Sequence, residues 1–200
     1  MTFARLLPCL ALMTLIAAIG CGDDDGGDGT DVSDAPPFDG GPGRDSGPTD
    51  LPDHCDDGPL DAPIDGCSPA PMASTGDPAQ DCVNRINQLR AECQCLPPLA
   101  RWTEGEACAD EQAEYDITRS PHSGFSDGIC DGGRGQNECP GWGSVEQVIS
   151  GCLQQMWDEG PGEPFSEHGH YINMTNPSHS MVACGYADSD SGLWAVQNFR

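Results

Sequence analysis

The chain has 200 residues, with 33 acidic side chains against 8 basic ones and a formal charge of −25. All eight basic residues are arginine. Such a balance repels phosphate backbones and anionic headgroups, so nucleic acid and direct electrostatic binding to a membrane surface are excluded as functions.

The first 21 residues read as an export signal. Arg5 supplies the positive start, and an apolar run follows from Leu6 to Ile19, broken only by Pro8, Cys9 and Thr14. It is too short for a membrane span and ends in small residues. Ala18-Ile19-Gly20-Cys21 resembles a bacterial lipoprotein box, with Ala18 where leucine is usual. That resemblance implies diacylation of Cys21, which would tether the mature protein to a membrane without crossing it. Twelve cysteines are present. Cys9 leaves with the signal and Cys21 would carry lipid, so ten remain, an even set that in an exported chain predicts up to five disulfides. Cys93-x-Cys95 lacks the two-residue gap of a zinc knuckle and has no mirrored partner.

Residues 22–78 are Asp, Gly and Pro in irregular alternation, with almost nothing to build a core. Low hydrophobicity with high charge cannot offset the entropy of ordering, so this stretch is expected to be a disordered tether, with Cys55 and Cys67 closing a small loop near its end. Asp23-Asp24-Asp25 lacks the spacing and terminal glutamate of an EF-hand.

The pattern changes at Asp81. Val83, Ile86, Leu89, Arg90 and Cys93 fall at helical spacing, with Asp81 as the expected cap. Pro97-Pro98 ends that helix. A second helix is expected over 106–117, with Ala109, Ala113 and Ile117 on one stripe. Residues 120–142 read as a long Gly-, Ser- and Cys-rich loop, of a length that points to function or to disulfide pinning. A third helix is expected over 144–159, capped by Ser144 and stopped by Gly160-Pro161-Gly162. From Gly169 onward the pattern reads as strand. Met181–Cys184 and Leu193–Val196 flank Asp188–Gly192 as a hairpin. Residues 79–200 are enough for one core and one domain.

Seven motifs occur in one order: Asn87-x-x-Arg90, Leu96-Pro97-Pro98-Leu99-Ala100-Arg101-Trp102, Pro121-His122-Ser123, Gly135-Gln136-Asn137, Met156-Trp157-Asp158-Glu159, Gly169-His170-Tyr171-x-x-Met174 and Trp194-Ala195-Val196-Gln197-Asn198-Phe199. Together they resemble the CAP superfamily: cysteine-rich secretory proteins, antigen-5 allergens and pathogenesis-related class-one proteins. Four departures stand out. The proline motif is one residue long, the Trp–Glu motif is one residue short, Gln136 stands at a Glu/Gln position, and Gln197 replaces a cysteine. The resemblance covers residues 79–200. It implies an α+β fold, a disulfide-stabilised three-layer α-β-α sandwich with a central antiparallel sheet and a long groove.

The resemblance also implies a tetrad of His122, Gln136, Glu159 and His170, able to hold zinc or another divalent metal, with Tyr171, Ser123 and Asn137 lining the groove. In an extended segment His168 would share a face with His170 and be a rival ligand. Asp158 or Glu163 could stand in for Glu159. Gln136 offers an oxygen but neither charge nor proton, so it weakens metal affinity and cannot act as a general base; Glu138 could compensate if the loop turns inward. No nucleophile elbow is present. The expected function is an exported, lipid-anchored binding module at the cell envelope or outside the cell. Its partner would be a small apolar ligand or an envelope protein, with the membrane met only through the anchor. The alternatives are a structural scaffold with a relic site and a zinc-dependent hydrolase.

Overall fold

The structure, a computed structural model, describes residues 51–200. The export signal, Cys21 and the first part of the tether lie outside the described residues.

Helix α1 (Pro78–Gln94) starts where Asp77 accepts from the Ala79 and Gln80 amides at 3.1 and 3.2 Å, with Pro78 in the first turn. Asp77 therefore takes the capping role expected of Asp81, whose carboxylate instead holds Ser74 and Thr75. The helix stops at Cys95, which adopts a left-handed φ of 56° and returns its amide to Ala91. Asn87 then exchanges two hydrogen bonds with the Leu99 backbone, at 2.9 and 2.8 Å. Arg90 donates to the Pro97 carbonyl and to that of Met174. The Asn-x-x-Arg pair is thus a clamp holding the proline turn against the helix.

Strand β1 (Ala100–Arg101) leads into α2 (Thr103–Asp116), which begins three residues before its expected start. The stretch read as one loop contains α3 (Ser123–Asp127) and β2 (Gly135–Trp142). Strand β2 escaped notice because Gln136 and Glu138 point inward, so no apolar alternation marks it. Ser144 caps α4 (Val145–Gln147) as expected, accepting from the Gln147 amide at 3.2 Å. A π-turn (Val148–Cys152) joins it to α5 (Leu153–Asp158). The segment around His170, expected as strand, is helix α6 (Phe165–Thr175). Its Tyr171 and Met174, three apart, are buried together on one face, which a strand could not arrange.

Strands β3 (Met181–Ser189) and β4 (Gly192–Phe199) form the expected hairpin, and the sheet order is β1-β3-β4-β2. All pairings are antiparallel except the two-residue edge β1, which runs parallel to β3. Helices α1 and α6 and the π-turn pack on one face of the sheet and α2 on the other, giving the three layers. The larger core gathers Ile86, Leu89, Leu153, Met156, Trp157 and Met174 against Val182 and Phe199. The smaller sets Ala109 and Ala113 against Trp194 and Val196. Alternate residues of β4 serve opposite cores, as the two-residue period requires. Gly185 lets α2 sit this close: a Cβ there would lie 2.3 Å from the Asp110 nitrogen.

Five disulfides use all ten remaining cysteines: Cys55–Cys95, Cys67–Cys93, Cys82–Cys184, Cys108–Cys130 and Cys139–Cys152. Cys55 and Cys67 do not join each other. Both reach the end of α1, so residues 51–77, read as tether, form a strap fastened to the domain. Backbone bonds from Leu60 to Gln94 and from Ile64 to Cys93 align it. Composition counts apolar residues and misses the crosslinks, which cut the entropy of the unfolded chain instead. Among the described residues no helix is long and apolar enough to cross a membrane.

Candidate functional site

The four tetrad positions come from four elements. His122 precedes α3 with a left-handed φ of 66°, Gln136 lies on β2, Glu159 follows α5 and His170 lies on α6. They form two pairs. His122 Nδ1 lies 2.8 Å from Gln136 Oε1, and His170 Nδ1 lies 2.5 Å from Glu159 Oε1. The two imidazole centroids are 6.4 Å apart, and both rings are partly open to solvent.

The surrounding bonds fix the tautomers. Gln136 Nε2 donates to Gln112 Oε1 at 2.9 Å and to Asn198 Oδ1 at 3.2 Å, so its oxygen faces His122 and must accept. Asn198 Nδ2 closes the triangle on Gln112 at 2.7 Å. The Glu159 carboxylate accepts from the His170 ring and, through Oε2, from the His170 and Tyr171 amides at 3.0 and 3.4 Å. In a neutral imidazole at either position Nδ1 then carries the proton and Nε2 the lone pair. An oxygen behind each imidazole is the usual support of a metal-ligating histidine. The two Nε2 nitrogens are the ring atoms left to accept, with Gln136 and Glu159 as the groups that orient the imidazoles. The same contacts set Gln136 Oε1 and Glu159 Oε1 against the imidazole Nδ1 atoms.

His168, weighed as a rival, is turned away by the helix. Its Nδ1 lies 2.7 and 3.0 Å from the Glu159 and Gly160 carbonyls, where it caps the end of the preceding helix. Asp158 is committed to Gln154, at 2.7 Å. Of the expected groove-lining residues, Ser123 is half-buried and bonds the Ser120 carbonyl. The other two need correction. Tyr171 is buried edge-on to Trp157, with its hydroxyl on Gln94 at 2.6 Å. Asn137 is fully buried and holds the His170 carbonyl and Asn173. Both brace the pairs from behind.

Glu138 does turn inward, because it shares a face of β2 with Gln136. Its side chain is fully buried, Oε2 accepts the His122 amide at 2.7 Å, and Oε1 has no partner. Burial pushes its carboxyl up to about 7; the His122 amide opposes the rise and the neighbouring Asp116 adds to it. Burial also raises Asp116, whose Oδ1 accepts from Gly124 at 2.7 Å while Oδ2 is unpaired. Sequence reasoning missed Asp116, Gln112 and Asn198. Asp116 and Gln112 sit four apart on α2, the one signal that could have paired them.

Among the described residues, the group of His, Cys, Asp and Glu with ligand atoms all within 4.8 Å of one another is His54, Cys55 and Cys95. Both sulfurs are spent in a disulfide, so no thiolate remains for a metal.

A cavity of about 660 Å³ lies elsewhere, between the strap, α1 and the α4–π segment. Pro71, Met72, Val145 and Ile149 give it apolar walls, and Asn84 and Arg85 contribute polar groups. The tether reading concealed it, since residues 71–78 form one side.

A model of the cysteine-rich secretory protein family (CAP) matches residues 83–199. Among solved structures, one titled "Structure of BmVAL-1" is similar with a TM-score of 0.44 and 18% identity, over 66% of this chain and 80% of that one. No curated protein matches the chain.

Proposed function

Because the chain belongs to the CAP family of cysteine-rich secretory proteins, we propose that it is an exported binding module. It is held at the envelope by lipid on Cys21, and it carries a small apolar ligand in the cavity between strap and α1. Five disulfides fit an oxidising compartment outside the cytoplasm. The observation that carries the reading is the cavity itself. Its volume lies within the roughly 300–1,000 Å³ of small-molecule sites, and its walls combine an apolar stretch of Pro71, Met72, Val145 and Ile149 with polar and charged groups. This favours a small ligand over an envelope protein. The test is binding of Nile red to the purified exported protein, followed by its emission shift. Met72→Trp and Ile149→Trp, which fill the cavity, should each abolish binding while the circular dichroism spectrum stays native. Binding unchanged by both would refute the reading.

The imidazole pair supports a second, separate reading as a weak site for a divalent cation on the two Nε2 atoms. Bound there, a cation would supply a positive centre at the mouth of the pair. No hydrolytic step is assigned to these residues. Gln136 has no ionisable proton, and Glu159 is committed to one ring and two amides, so neither is free to act as a base.

A further inference from the structure

Strand β3 outruns its neighbour on the outer side of the sheet. There β1 pairs only with Met181 and Val182, and the Trp102 amide adds a bond to the Val182 carbonyl at 2.8 Å. The two-residue period turns the backbone groups of Tyr186 and Asp188 to that same outer side, away from β4. The Tyr186 amide is met by a side chain, the Asp110 carboxylate, at 2.7 Å. Among the described residues nothing bonds the Tyr186 carbonyl or the amide and carbonyl of Asp188. Asp188 is exposed and Tyr186 half-buried. Open donors and acceptors along a strand edge are a template for another strand.

Helix α2 runs beside this edge. Glu106, Asp110 and Glu114 lie four apart in one row, a rise of about 6 Å per step that nearly matches two residues of strand. Glu106 pairs with Arg101 on β1, and Asp110 holds Tyr186. Glu114, next in the row, lines an open depression of about 470 Å³ together with Asp110 and Asp188. Among the described residues none of these last three carboxylates is in an ion pair. On the α1 face of the sheet the same edge borders a second open depression, of about 510 Å³, with Tyr186 and Leu193 in its wall. A strand added here would send alternate side chains to an acidic hollow and to a hollow walled by Tyr186 and Leu193.

We propose that the outer edge of β3 over Tyr186–Ser189 docks an extended cationic segment of another protein, which joins the sheet as a further strand. Its amide donates to the Tyr186 carbonyl and its carbonyl accepts from the Asp188 amide, while Asp110 stays on the Tyr186 amide. Its lysine or arginine side chains lie over Asp110 and Glu114, and the apolar residues between them face Leu193. Backbone bonds of this kind supply affinity, and the hollows on either side select the alternating side chains. The net charge of −25 draws cationic partners toward the whole molecule, and the open edge decides where they settle. The proposal does not depend on a ligand in the strap cavity.

The experiment is calorimetric titration of the full exported chain, at 0.15 M salt and pH 7.5, with three peptides. They are acetyl-Lys-Val-Lys-Val-Lys-Val-amide, the same peptide N-methylated at every residue, and its counterpart with glutamate in place of lysine. The lysine peptide should bind at one per chain and about 10-fold more tightly than its N-methylated form, which keeps the charge and loses the backbone donors. The glutamate peptide should give no heat of binding. Asp188→Pro removes the outward amide at an edge position that tolerates proline, and should weaken the lysine peptide about 10-fold. Asp188→Asn keeps that amide and should weaken it only about two- to fivefold. An N-methylated peptide as tight as its parent overturns strand addition, and a glutamate peptide as tight as the lysine one overturns the cationic partner. Failure of the lysine peptide to bind overturns the whole proposal. The three-peptide comparison on the native chain decides the matter even if the proline variant does not fold.

Discussion

Replacing Glu138 by glutamine should stabilise the protein at neutral and alkaline pH and leave it almost unchanged at pH 4.5. The carboxyl titrates near 7 in the folded state because it is buried beside Asp116, against an ordinary value of 4.5. Between those two values the folded chain keeps a proton that the unfolded chain has released. Stability therefore falls as pH rises through that window and levels off above 7. A displacement of about two and a half pH units at ~1.4 kcal/mol each makes the loss about 3 kcal/mol by pH 8. In Glu138→Gln that loss disappears. The amide keeps an oxygen for the His122 N–H and brings a donor toward the unpaired Asp116 Oδ2. Guanidinium unfolding of both proteins from pH 4.5 to 8.5, with disulfides intact, would read the difference. A gap between variant and native that stays constant across the range would refute the burial argument.

Three further outcomes are expected. Gly185→Ala should cost about 3 kcal/mol or prevent folding, since its Cβ would meet backbone of α2 that no side-chain rotation can clear; thermal unfolding measures this. In zinc calorimetry at pH 7.5, His170→Ala should remove any heat of binding while His168→Ala keeps it, and the reverse would show that the wrong imidazole had been chosen. Cys21→Ser should move the protein from the membrane fraction to the soluble exported fraction, and unchanged fractionation would refute the lipid anchor.

The helices of the main core and the terminal hairpin were legible because each has an apolar period and stop signals of its own. Pro78 and Gly160-Pro161 bracket helices, and Asp188–Gly192 marks the turn. Helix α6 was not legible. Gly169 interrupts it, and no side chain caps its start. It is held by tertiary contacts: Glu159 on its backbone amides, and Asn137 on the His170 carbonyl. The order of motifs paired His170 with His122, whose ring centroids lie 6.4 Å apart, while the local pattern gave the wrong backbone. Strand β2 was hidden for a related reason. Among its inward side chains Gln136 bonds amides 24 and 62 positions away in the chain, separations no local window spans.

The strap's two crosslinks also bear on how the protein must be made. Cys55–Cys95 encloses Cys67–Cys93, so the bonds are nested. If the chain is exported from its N-terminus, as proposed, Cys55 and Cys67 meet the oxidant together, before either native partner has emerged. Joining cysteines in order of appearance would yield the one loop the fold does not contain. Maturation therefore needs either a delay in oxidation until the C-terminal half of α1 arrives, or an isomerase able to reopen an early mistake. A host lacking both should secrete the protein with its strap wrongly looped and one wall of the cavity missing.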